Sequence, residues 1–249
     1  MSNFKDYSTY YDLLYKDKNY KAESDYVVKK IKWIAAEAKS ILELGSGSGA
    51  HAKYFCENGF EVTGIERSEE MVAQSLQKNI HGFNPIIGDI VTTSIPKTFD
   101  VVLSLFHVIS YLTDNQSLIQ CFENANKHLN PNGVFIFDVW YSPAVYFQKP
   151  ETRIKRLENS EIEIIRIAES EMVTAQNVVN VNFEVIIKNK KNSQTQTLNE
   201  LHPMRHFSIP EIALLAKIAN FELVHTEEFL TENNPSENTW GVCFILKKL

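Results

Sequence analysis

The chain has 249 residues, of which 44% are hydrophobic and 22% are charged, which is the composition of an ordinary globular domain. Its formal net charge of −6 argues against a nucleic-acid surface. It has no apolar run of membrane-spanning length and no signal peptide, so we expect a cytoplasmic protein without a membrane partner. Cys56, Cys121 and Cys243 are far apart, which favours a reducing compartment and argues against a metal site.

The N-terminal segment is rich in tyrosine, with four in residues 7–15 and Tyr20 beyond them. A tyrosine ring is apolar and its hydroxyl is polar, so this aromatic arm could rim a ligand. An amphipathic helix that pins the terminus would give the same pattern. Apolar residues then recur at helical spacing over residues 22–38, which predicts a helix leading into the first strand.

Residues 40–50 read Ser-Ile-Leu-Glu-Leu-Gly-Ser-Gly-Ser-Gly-Ala. This pattern predicts a short buried strand, a tight turn and the start of a helix. Gly45, Gly47 and Gly49 permit backbone dihedrals closed to other residues and let a ligand approach the main chain. Glu43 lies within the apolar strand, where a carboxylate is costly unless something hydrogen-bonds to it.

Two cofactor classes use a strand, a glycine turn and a helix. Gly45, Gly47 and Ala50 satisfy the dinucleotide fingerprint of NAD enzymes. A pyrophosphate, however, needs the helix N-terminus and no carboxylate before the turn. S-adenosylmethionine (SAM) carries a sulfonium and an ammonium, so Glu43 favours SAM. A tight turn with no ligand is the remaining alternative.

The next two strands also end in acidic residues. The strand over residues 61–65 is followed by Glu66, which can accept both hydroxyls of an adenosine ribose. The strand over residues 85–88 is followed by Asp89, which can accept the adenine amino group with Ile90 beside the ring. Asp89 could instead simply begin a turn.

The run over residues 99–106 is almost continuously apolar, as in a strand buried on both faces. Ligands of parallel sheets bind at the carboxyl ends of the strands, which places His107 and Tyr111 near the pocket. A helix over residues 113–129, a turn at 130–133 and a strand at 133–139 follow. Strand and helix thus alternate five times, which predicts a doubly wound α/β sheet.

The pattern changes after residue 150. Alternating apolar residues at 179–187 predict strands that are exposed on one face. We therefore expect an antiparallel β insert over residues 151–207, covering the acceptor site of a core formed by residues 1–150 and 208–249. Ser208 begins a capping box and a helix. Strands at 222–229 and 240–247 end the chain, and this strand pair disfavours a dehydrogenase.

These motifs in this order resemble the class I SAM-dependent methyltransferases, whose Rossmann-like sheet has seven strands with the last antiparallel. Four stretches are similar to bacterial nucleotide-sugar N-methyltransferases, which methylate amino sugars on a thymidine diphosphate carrier. These stretches are residues 11–15, 49–51, 106–112 and 202–207.

The resemblance implies roles for particular residues. Tyr11 would lie near the acceptor, Tyr20 and His51 near the methionine carboxylate, and Tyr111 where some family members carry histidine. The expected cofactor-binding residues are Tyr20, Glu43, Gly45, Ser46, Gly47, Gly49, His51, Glu66, Arg67, Met71, Asp89, Ile90 and Leu105. The expected catalytic residues are Tyr11, His107, Tyr111 and His202. Residues 138–141 depart from the family's Pro-Trp-Trp-type sequence.

An amine acceptor must lose a proton before methylation, which calls for a base or for desolvation of the ammonium. His107, Tyr111, His202 and His206 are the candidates, although tyrosine is a poor base at neutral pH. Arg205 could bind a phosphate or form a salt bridge within the insert.

The acidic balance and Leu105-Phe-His-Val after the fourth strand favour a small-molecule acceptor over a flipped base. We therefore predict methyl transfer from SAM to a small polar acceptor, such as the amine of a nucleotide-linked amino sugar, by a protein that could be a homodimer. Transfer to oxygen or to another amine, an NAD-type oxidoreductase and a non-catalytic SAM-binding module are the alternatives.

Overall fold

The computed structural model describes residue 10 and residues 13–249; Tyr11, and with it most of the predicted aromatic arm, lies outside the described residues. Eleven strands make up one sheet in this part of the chain. They are β1 (Ser40–Leu44), β2 (Glu61–Glu66), β3 (Phe83–Ile87), β4 (Phe99–Ser104), β5 (Leu129–Tyr141), β6 (Arg153–Glu158), β7 (Ile162–Val173), β8 (Val178–Asn189), β9 (Thr195–Phe207), β10 (Phe221–Glu228) and β11 (Gly241–Lys248).

Seven of these strands form the core, in the order β3-β2-β1-β4-β5-β11-β10. The first five in this order pair in parallel. The last strand of the chain, β11, runs antiparallel to both β5 and β10. The predicted seven-stranded, doubly wound Rossmann-like sheet is thus confirmed.

Helices cover both faces of the core sheet. They are α1 (Tyr20–Ile34), α2 (Ala50–Glu57), α3 (Glu69–Gln77), α4 (Asn115–Lys127), α5 (Ser142–Gln148) and α6 (Ile209–Ile218). Ser68 and Ser208 act as N-caps, their hydroxyls accepting the backbone N–H groups of Met71 and Glu211 at 3.2 and 3.4 Å. None of the helices in the described part of the chain has the length and apolar character needed to span a bilayer.

The first predicted helix differs in its bounds from residues 22–38. It begins at Tyr20 and ends at Ile34. The Asp100 carboxylate, at the start of β4, accepts the backbone N–H groups of Lys39 and Ser40 at 2.9 and 3.0 Å. Between the helix and these bonds the chain turns at residues 36–37, where the Ala38 N–H donates to the Ala35 carbonyl at 3.0 Å, so the helix ends earlier than its apolar periodicity indicates.

The turn predicted at residues 130–133 lies inside β5 and not before it. Phe99 pairs with Leu129, but Val101 pairs with Val134, so β5 carries extra residues that have no partner on β4. Asn132 has a positive φ of 63° within this stretch. Turn chemistry therefore produces a bulge in a continuing strand.

Strands β6 to β9 are antiparallel neighbours and fill most of residues 153–207. They join the core through β9, which pairs in parallel with β5 at Trp140 and Tyr141. This junction lies beyond Ser104, where β4 ends. Because Trp140 also pairs with β11 on its other edge, β9 takes over the edge that β4 has vacated. The four strands thereby extend from the carboxyl edge of the parallel sheet.

Candidate active site

The turn after β1 presents backbone to a cavity at the carboxyl ends of the strands. Gly45 has φ of +76°, and a Cβ there would lie 2.6 Å from Val108 Cγ1. Its N–H donates to the Ile65 carbonyl at 2.8 Å, which ties the turn to β2. Gly47, also at positive φ, donates to Glu66 Oε2 at 2.9 Å. Only glycine adopts the positive φ of Gly45 without strain and also leaves the space that Val108 occupies. The turn over residues 45–49, called the glycine cradle below, therefore leaves its backbone open to a ligand.

Glu43 lies directly behind this cradle and is only 1% exposed. Burial, and secondarily the nearby Glu66 carboxylate, raise the pKa of the Glu43 carboxyl to about 8. Its Oε1 is 3.8 Å from His51 Nδ1, and its Oε2 accepts no hydrogen bond among the described residues. An unsatisfied buried acceptor is costly, and a cation bound nearby would offset that cost.

Acidic side chains line the cavity at the ends of β2 and β3. The Glu66 carboxylate accepts the N–H groups of Gly47 and Ser68 at 2.9 and 2.8 Å. Each carboxylate oxygen can accept a second bond, so the ribose-binding capacity expected for Glu66 is retained. Asp89 accepts the Val91 N–H at 2.8 Å. Its turn-forming role and its place in the cavity are therefore compatible.

Tyr20 and His51 meet at one end of the cavity, with ring centroids 4.9 Å apart. His51 Nε2 lies 2.8 Å from Glu23 Oε2, and Glu23 also contacts the Lys18 ammonium. Burial lowers the pKa of His51, and the hydrogen bond that its Nε2 makes to the Glu23 carboxylate offsets part of that shift. This arrangement brings the start of α1 against the glycine turn. The roles of Lys18 and Glu23 were missed, because no motif marks them.

The segment after β4 has an unusual backbone. Phe106 and His107 both have positive φ, at 66° and 61°, which costs non-glycine residues energy unless the surroundings impose it. The buried Asp138 imposes it from β5, since Oδ1 accepts the Phe106 N–H at 2.7 Å and Oδ2 is 2.6 Å from His107 Nδ1. Burial would raise the pKa of Asp138, but the facing His107 holds it below its usual range. Asp138 is therefore a carboxylate that fixes His107 at the cavity wall.

A second polar chain crosses from the core to the insert. Tyr111 Oη is 3.0 Å from His202 Nδ1, and His202 Nε2 is 3.0 Å from Glu200 Oε2. The Phe183 ring packs against the His202 ring at a centroid distance of 4.7 Å. The Arg166 guanidinium lies over the Phe183 ring, 4.8 Å from its centroid.

One continuous cavity of about 640 Å³ connects the glycine cradle with the face of the insert. The expected cofactor-binding residues that line it are Tyr20, Gly45, Ser46, Gly47, His51, Glu66, Arg67, Met71, Asp89, Ile90 and Leu105. Of the expected catalytic residues, His107, Tyr111 and His202 line it as well. Side chains that are far apart in the chain thus surround a single volume, which lies within the usual size range of ligand pockets.

Comparison with known proteins gives a consistent assignment. Residues 41–133 match the model of a methyltransferase domain. The chain is 27% identical over 143 residues to the dTDP-3-amino-3,4,6-trideoxy-α-D-glucopyranose N,N-dimethyltransferase of Streptomyces venezuelae. That match spans 57% of this chain and 60% of the relative, so it covers less than two thirds of the relative's length.

Two solved structures extend the similarity in fold to nearly the whole chain. Streptomyces venezuelae DesVI superposes with a TM-score of 0.83 at 20% identity, covering 98% of both chains. The sugar N-methyltransferase KedS8 of Streptoalloteichus superposes with a TM-score of 0.82 at 20% identity, covering 96% of this chain and 92% of that one. Residues 41–133 are a methyltransferase domain, and the whole chain resembles the class I SAM-dependent methyltransferases. Its resemblance to amino-sugar N-methyltransferases is confirmed.

SAM is the cofactor of this methyltransferase, as predicted, and the site fits it in two respects. One oxygen of the buried Glu43 carboxyl has no hydrogen-bond partner among the described residues, which a nearby cation would offset, and a Cβ at Gly45 would lie 2.6 Å from Val108, which lines the cavity. Gly45, Gly47, Glu66 and Asp89 would hold the cofactor. When bound, SAM supplies a methyl group on a positively charged sulfur.

Two of the expected cofactor-binding residues do not line the cavity of the methyltransferase. Glu43 is behind the turn, and a bound cation nearby would favour the ionised form of its carboxyl. Gly49 is the N-cap of α2 at φ of +76°, and a Cβ there would lie 2.8 Å from Phe83 Cε1. Its glycine is thus explained by close packing of the helix against β3.

Neither His206, a candidate base, nor Arg205, a candidate phosphate ligand, lines the cavity. His206 is fully buried, its Nδ1 is 2.8 Å from Ser142 Oγ, and burial lowers its pKa to about 4. It does not line the cavity, so it does not qualify as the base. Arg205 forms a salt bridge with Glu211 at 2.6 Å, but Glu211 lies on α6 of the core and not within the insert, where the alternative placed the partner.

Three residues at the acceptor end carry no sequence motif. Asp138 was noted only as a departure from the family pattern. Arg166 and Glu200 lie on strands of the insert, and strand alternation alone does not say which face meets the cavity. Arg166 lies on the same face of β7 as Ala168 and Ser170, and all three line the cavity. The alternation of side chains with a period of two along a strand was the sequence signal that could have grouped these three residues.

Proposed function

We propose that this protein transfers the methyl group of SAM to the amine of a nucleotide-linked amino sugar. The observation that carries the proposal is the single cavity that joins the cofactor cradle to a chamber under the β insert. A cofactor on the glycine turn and an acceptor under the insert would share one enclosed volume. Enclosure and alignment of this kind can supply several kcal/mol of the barrier.

Charge at the acceptor end supports an anionic acceptor. Arg153 and Arg166 both line the cavity from the insert. A guanidinium binds phosphate bidentately, which suits the diphosphate of a sugar carrier. The relative from Streptomyces venezuelae is named for a dTDP-linked amino sugar. Because Arg205 is held by Glu211, we assign the binding of the phosphate to Arg166 and Arg153 instead.

Aromatic and imidazole groups would orient the sugar. His107, held by Asp138, and Trp140 line the chamber near the end of β4, with ring centroids 6.2 Å apart. Tyr15 packs edge-on against Phe106, at a centroid distance of 5.2 Å. These rings exclude water from the acceptor and offer it apolar faces. His107 would bind a polar group of the acceptor beside the cofactor.

The test is a direct assay of methyl transfer. The protein is incubated with SAM and a dTDP-linked 3-amino sugar, and the products are analysed by mass spectrometry. The expected result is one or two added methyl groups on the amine. The matched control is the same sugar nucleotide with a hydroxyl in place of the amine. Methylation of the hydroxyl compound, or of neither while S-adenosylhomocysteine still binds, would contradict the proposal.

We also propose that the protein acts in the cytoplasm, with a small molecule rather than a nucleic acid or membrane as its partner. Cys56, Cys121 and Cys243 are present as free thiols, which suits a reducing compartment.

The predicted homodimer stays a prediction, and analytical ultracentrifugation of the purified chain would test it.

A further inference from the structure

We propose that Tyr111, His202 and Glu200 form a proton relay that deprotonates the acceptor ammonium, with Glu200 as the residue that positions His202. The inference rests on the proposed amine acceptor and adds the route by which its proton leaves. It places the base on the insert and gives Glu200 a role in the reaction.

The hydrogen-bond pattern defines the direction of the relay. A carboxylate only accepts, so His202 Nε2 must donate its proton to Glu200 across their 3.0 Å contact. His202 Nδ1 is then an acceptor, and it receives the Tyr111 hydroxyl proton at 3.0 Å. The third group thus sets the tautomer and orientation of the imidazole, which is the arrangement of a catalytic triad.

The relay begins at the cavity and ends outside its lining. Tyr111 and His202 line the cavity, whereas Glu200 does not. His202 is 2% exposed, and the Glu200 side chain is 10% exposed. A proton that enters at the Tyr111 oxygen is therefore passed away from the chamber, toward the more exposed Glu200.

The step is a balanced proton transfer. An N–H bond of the acceptor ammonium breaks, its proton passes to the Tyr111 oxygen, and the Tyr111 proton moves to His202 Nδ1. The amine nitrogen retains the electron pair of the broken bond. His202 becomes an imidazolium, and the charge of Glu200 stabilises it.

The alternative histidine is less suited to this task. His107 faces Asp138, and the Asp138 carboxylate already accepts the N–H groups of Phe106 and His107 at 2.7 and 3.4 Å. Asp138 therefore serves the backbone of the β4 segment, and the insert supplies the base.

The charged and titratable groups around the relay come from three further segments. Tyr15 and Arg67 both act on Tyr111, and Arg166 lies over Phe183, which packs on His202. Burial, then Tyr15 and Glu200, raise the pKa of Tyr111 well above its usual range. Tyr111 therefore keeps a proton at all times and passes one on only as another arrives.

The test is the pH dependence of kcat/KM for Tyr111→Phe and Glu200→Gln, measured with SAM and a dTDP-linked amino sugar. At pH 7 we expect losses of about a hundredfold for Tyr111→Phe and at least about tenfold for Glu200→Gln. Both losses should shrink as the pH rises past the pKa of the acceptor amine, because the free amine no longer needs a base. Glu184→Gln is the matched control, since Glu184 is exposed on neighbouring β8.

The outcomes separate the relay from the proposed function. A loss that is equal at every pH, or no loss at all, would overturn the relay while the wild-type turnover still supports the function. A wild-type protein that methylates no amine would overturn both. Binding of S-adenosylhomocysteine, measured by calorimetry on each variant, shows that the fold and the cofactor cradle are intact.

Discussion

Two residues, a glycine and a glutamate, decide what the β1 turn can bind. Gly45 provides clearance, because the side chain of Val108 occupies the space that a Cβ would need. Glu43 provides a buried carboxyl that has one oxygen without a partner among the described residues. Burial, and secondarily the nearby Glu66, raise its pKa to about 8, and a cation bound nearby would favour its ionised form, so clearance and this carboxyl together suit a cationic ligand that reaches the backbone. Each contribution can be removed separately.

Gly45→Ala should weaken the fold and the cofactor site more than Gly47→Ala. Both residues have positive φ, so alanine costs ~1–2 kcal/mol at either position. At Gly45 the new Cβ would also lie 2.6 Å from Val108 Cγ1, whereas at Gly47 the nearest atom is 3.8 Å away. We expect Gly45→Ala to lower the free energy of unfolding by ~2–4 kcal/mol. Urea unfolding and calorimetric titration with S-adenosylhomocysteine measure both effects, and equal losses in the two variants would refute this account.

Glu43→Gln should stabilise the ligand-free protein at alkaline pH. The carboxyl titrates near 4.5 when unfolded and near 8 when folded. Its bound proton therefore stabilises the fold fully below pH 4.5, and this contribution is lost as the pH rises to 8. The Glu43→Gln variant has no such proton to lose. Its free energy of unfolding should therefore exceed that of the wild type by about zero at pH 4.5 and by ~4 kcal/mol above pH 8.

Urea unfolding at pH 5 and pH 8.5 measures this difference. Glu61→Gln is the control, because the Glu61 side chain is 79% exposed and should show no such trend. A Glu43→Gln difference that is the same at both pH values would show that the carboxyl is not held protonated. The same variant should bind SAM more weakly than the wild type.

At the scale of elements, the segment between β4 and the following turn is positioned by its neighbour β5. Two consecutive residues adopt positive φ there, and Asp138 accepts their N–H groups. His107 lies within this strained backbone, and the short helical turn that follows it carries Tyr111. One strand thus supplies the charge that shapes the loop of another, which links β5 packing to the chemistry.

Asp138→Asn should lower both stability and turnover, whereas Asp100→Asn should lower stability alone. Each carboxylate accepts two backbone N–H groups, and weakening such bonds costs ~1–3 kcal/mol. Asp138 lies beside the cavity, and Asp100 lies at the opposite end of the strands. Thermal unfolding and steady-state methyl transfer measure the two effects. A full retention of turnover in Asp138→Asn would show that the His107 segment is not held by this charge.

At the scale of the molecule, the insert and the core form one sheet with a shared cavity. The connection depends on β9, which pairs with β5 at Trp140 and Tyr141 after β4 has ended. This short junction projects four strands over the carboxyl edge where the ligands of parallel sheets bind. The cofactor end and the acceptor end therefore belong to different elements but to one volume.

S-adenosylhomocysteine should raise the thermal stability of the whole protein. A ligand that binds only the folded state at 100 times its Kd stabilises it by ~2.7 kcal/mol. For a chain of this size the midpoint should rise by roughly 5–10 °C. NADH at the same concentration is the control for the dinucleotide alternative. A shift with NADH and none with S-adenosylhomocysteine would contradict the cofactor assignment. Differential scanning fluorimetry gives both values.

Much of the cofactor half could be predicted, because its signals are local. Strand, glycine turn and helix follow one another within residues 40–57, and the acids Glu66 and Asp89 each end a strand. Gly49 shows the limit of this reasoning, since its glycine serves helix packing against Phe83 and not the ligand. The bulge at residues 130–133 shows another, because a turn motif does not reveal whether pairing resumes on the same strand.

The sequence by itself determined the sheet, its cofactor class and the strand ends that bear acids, because parallel strands must all present their carboxyl ends to one edge. Only the tertiary structure decided the acceptor half. Asp138 meets His107 across 31 residues of chain, and Tyr111 meets His202 across 91. Such contacts depend on which strand lies beside which and on the face each presents, and neither is encoded in a local pattern.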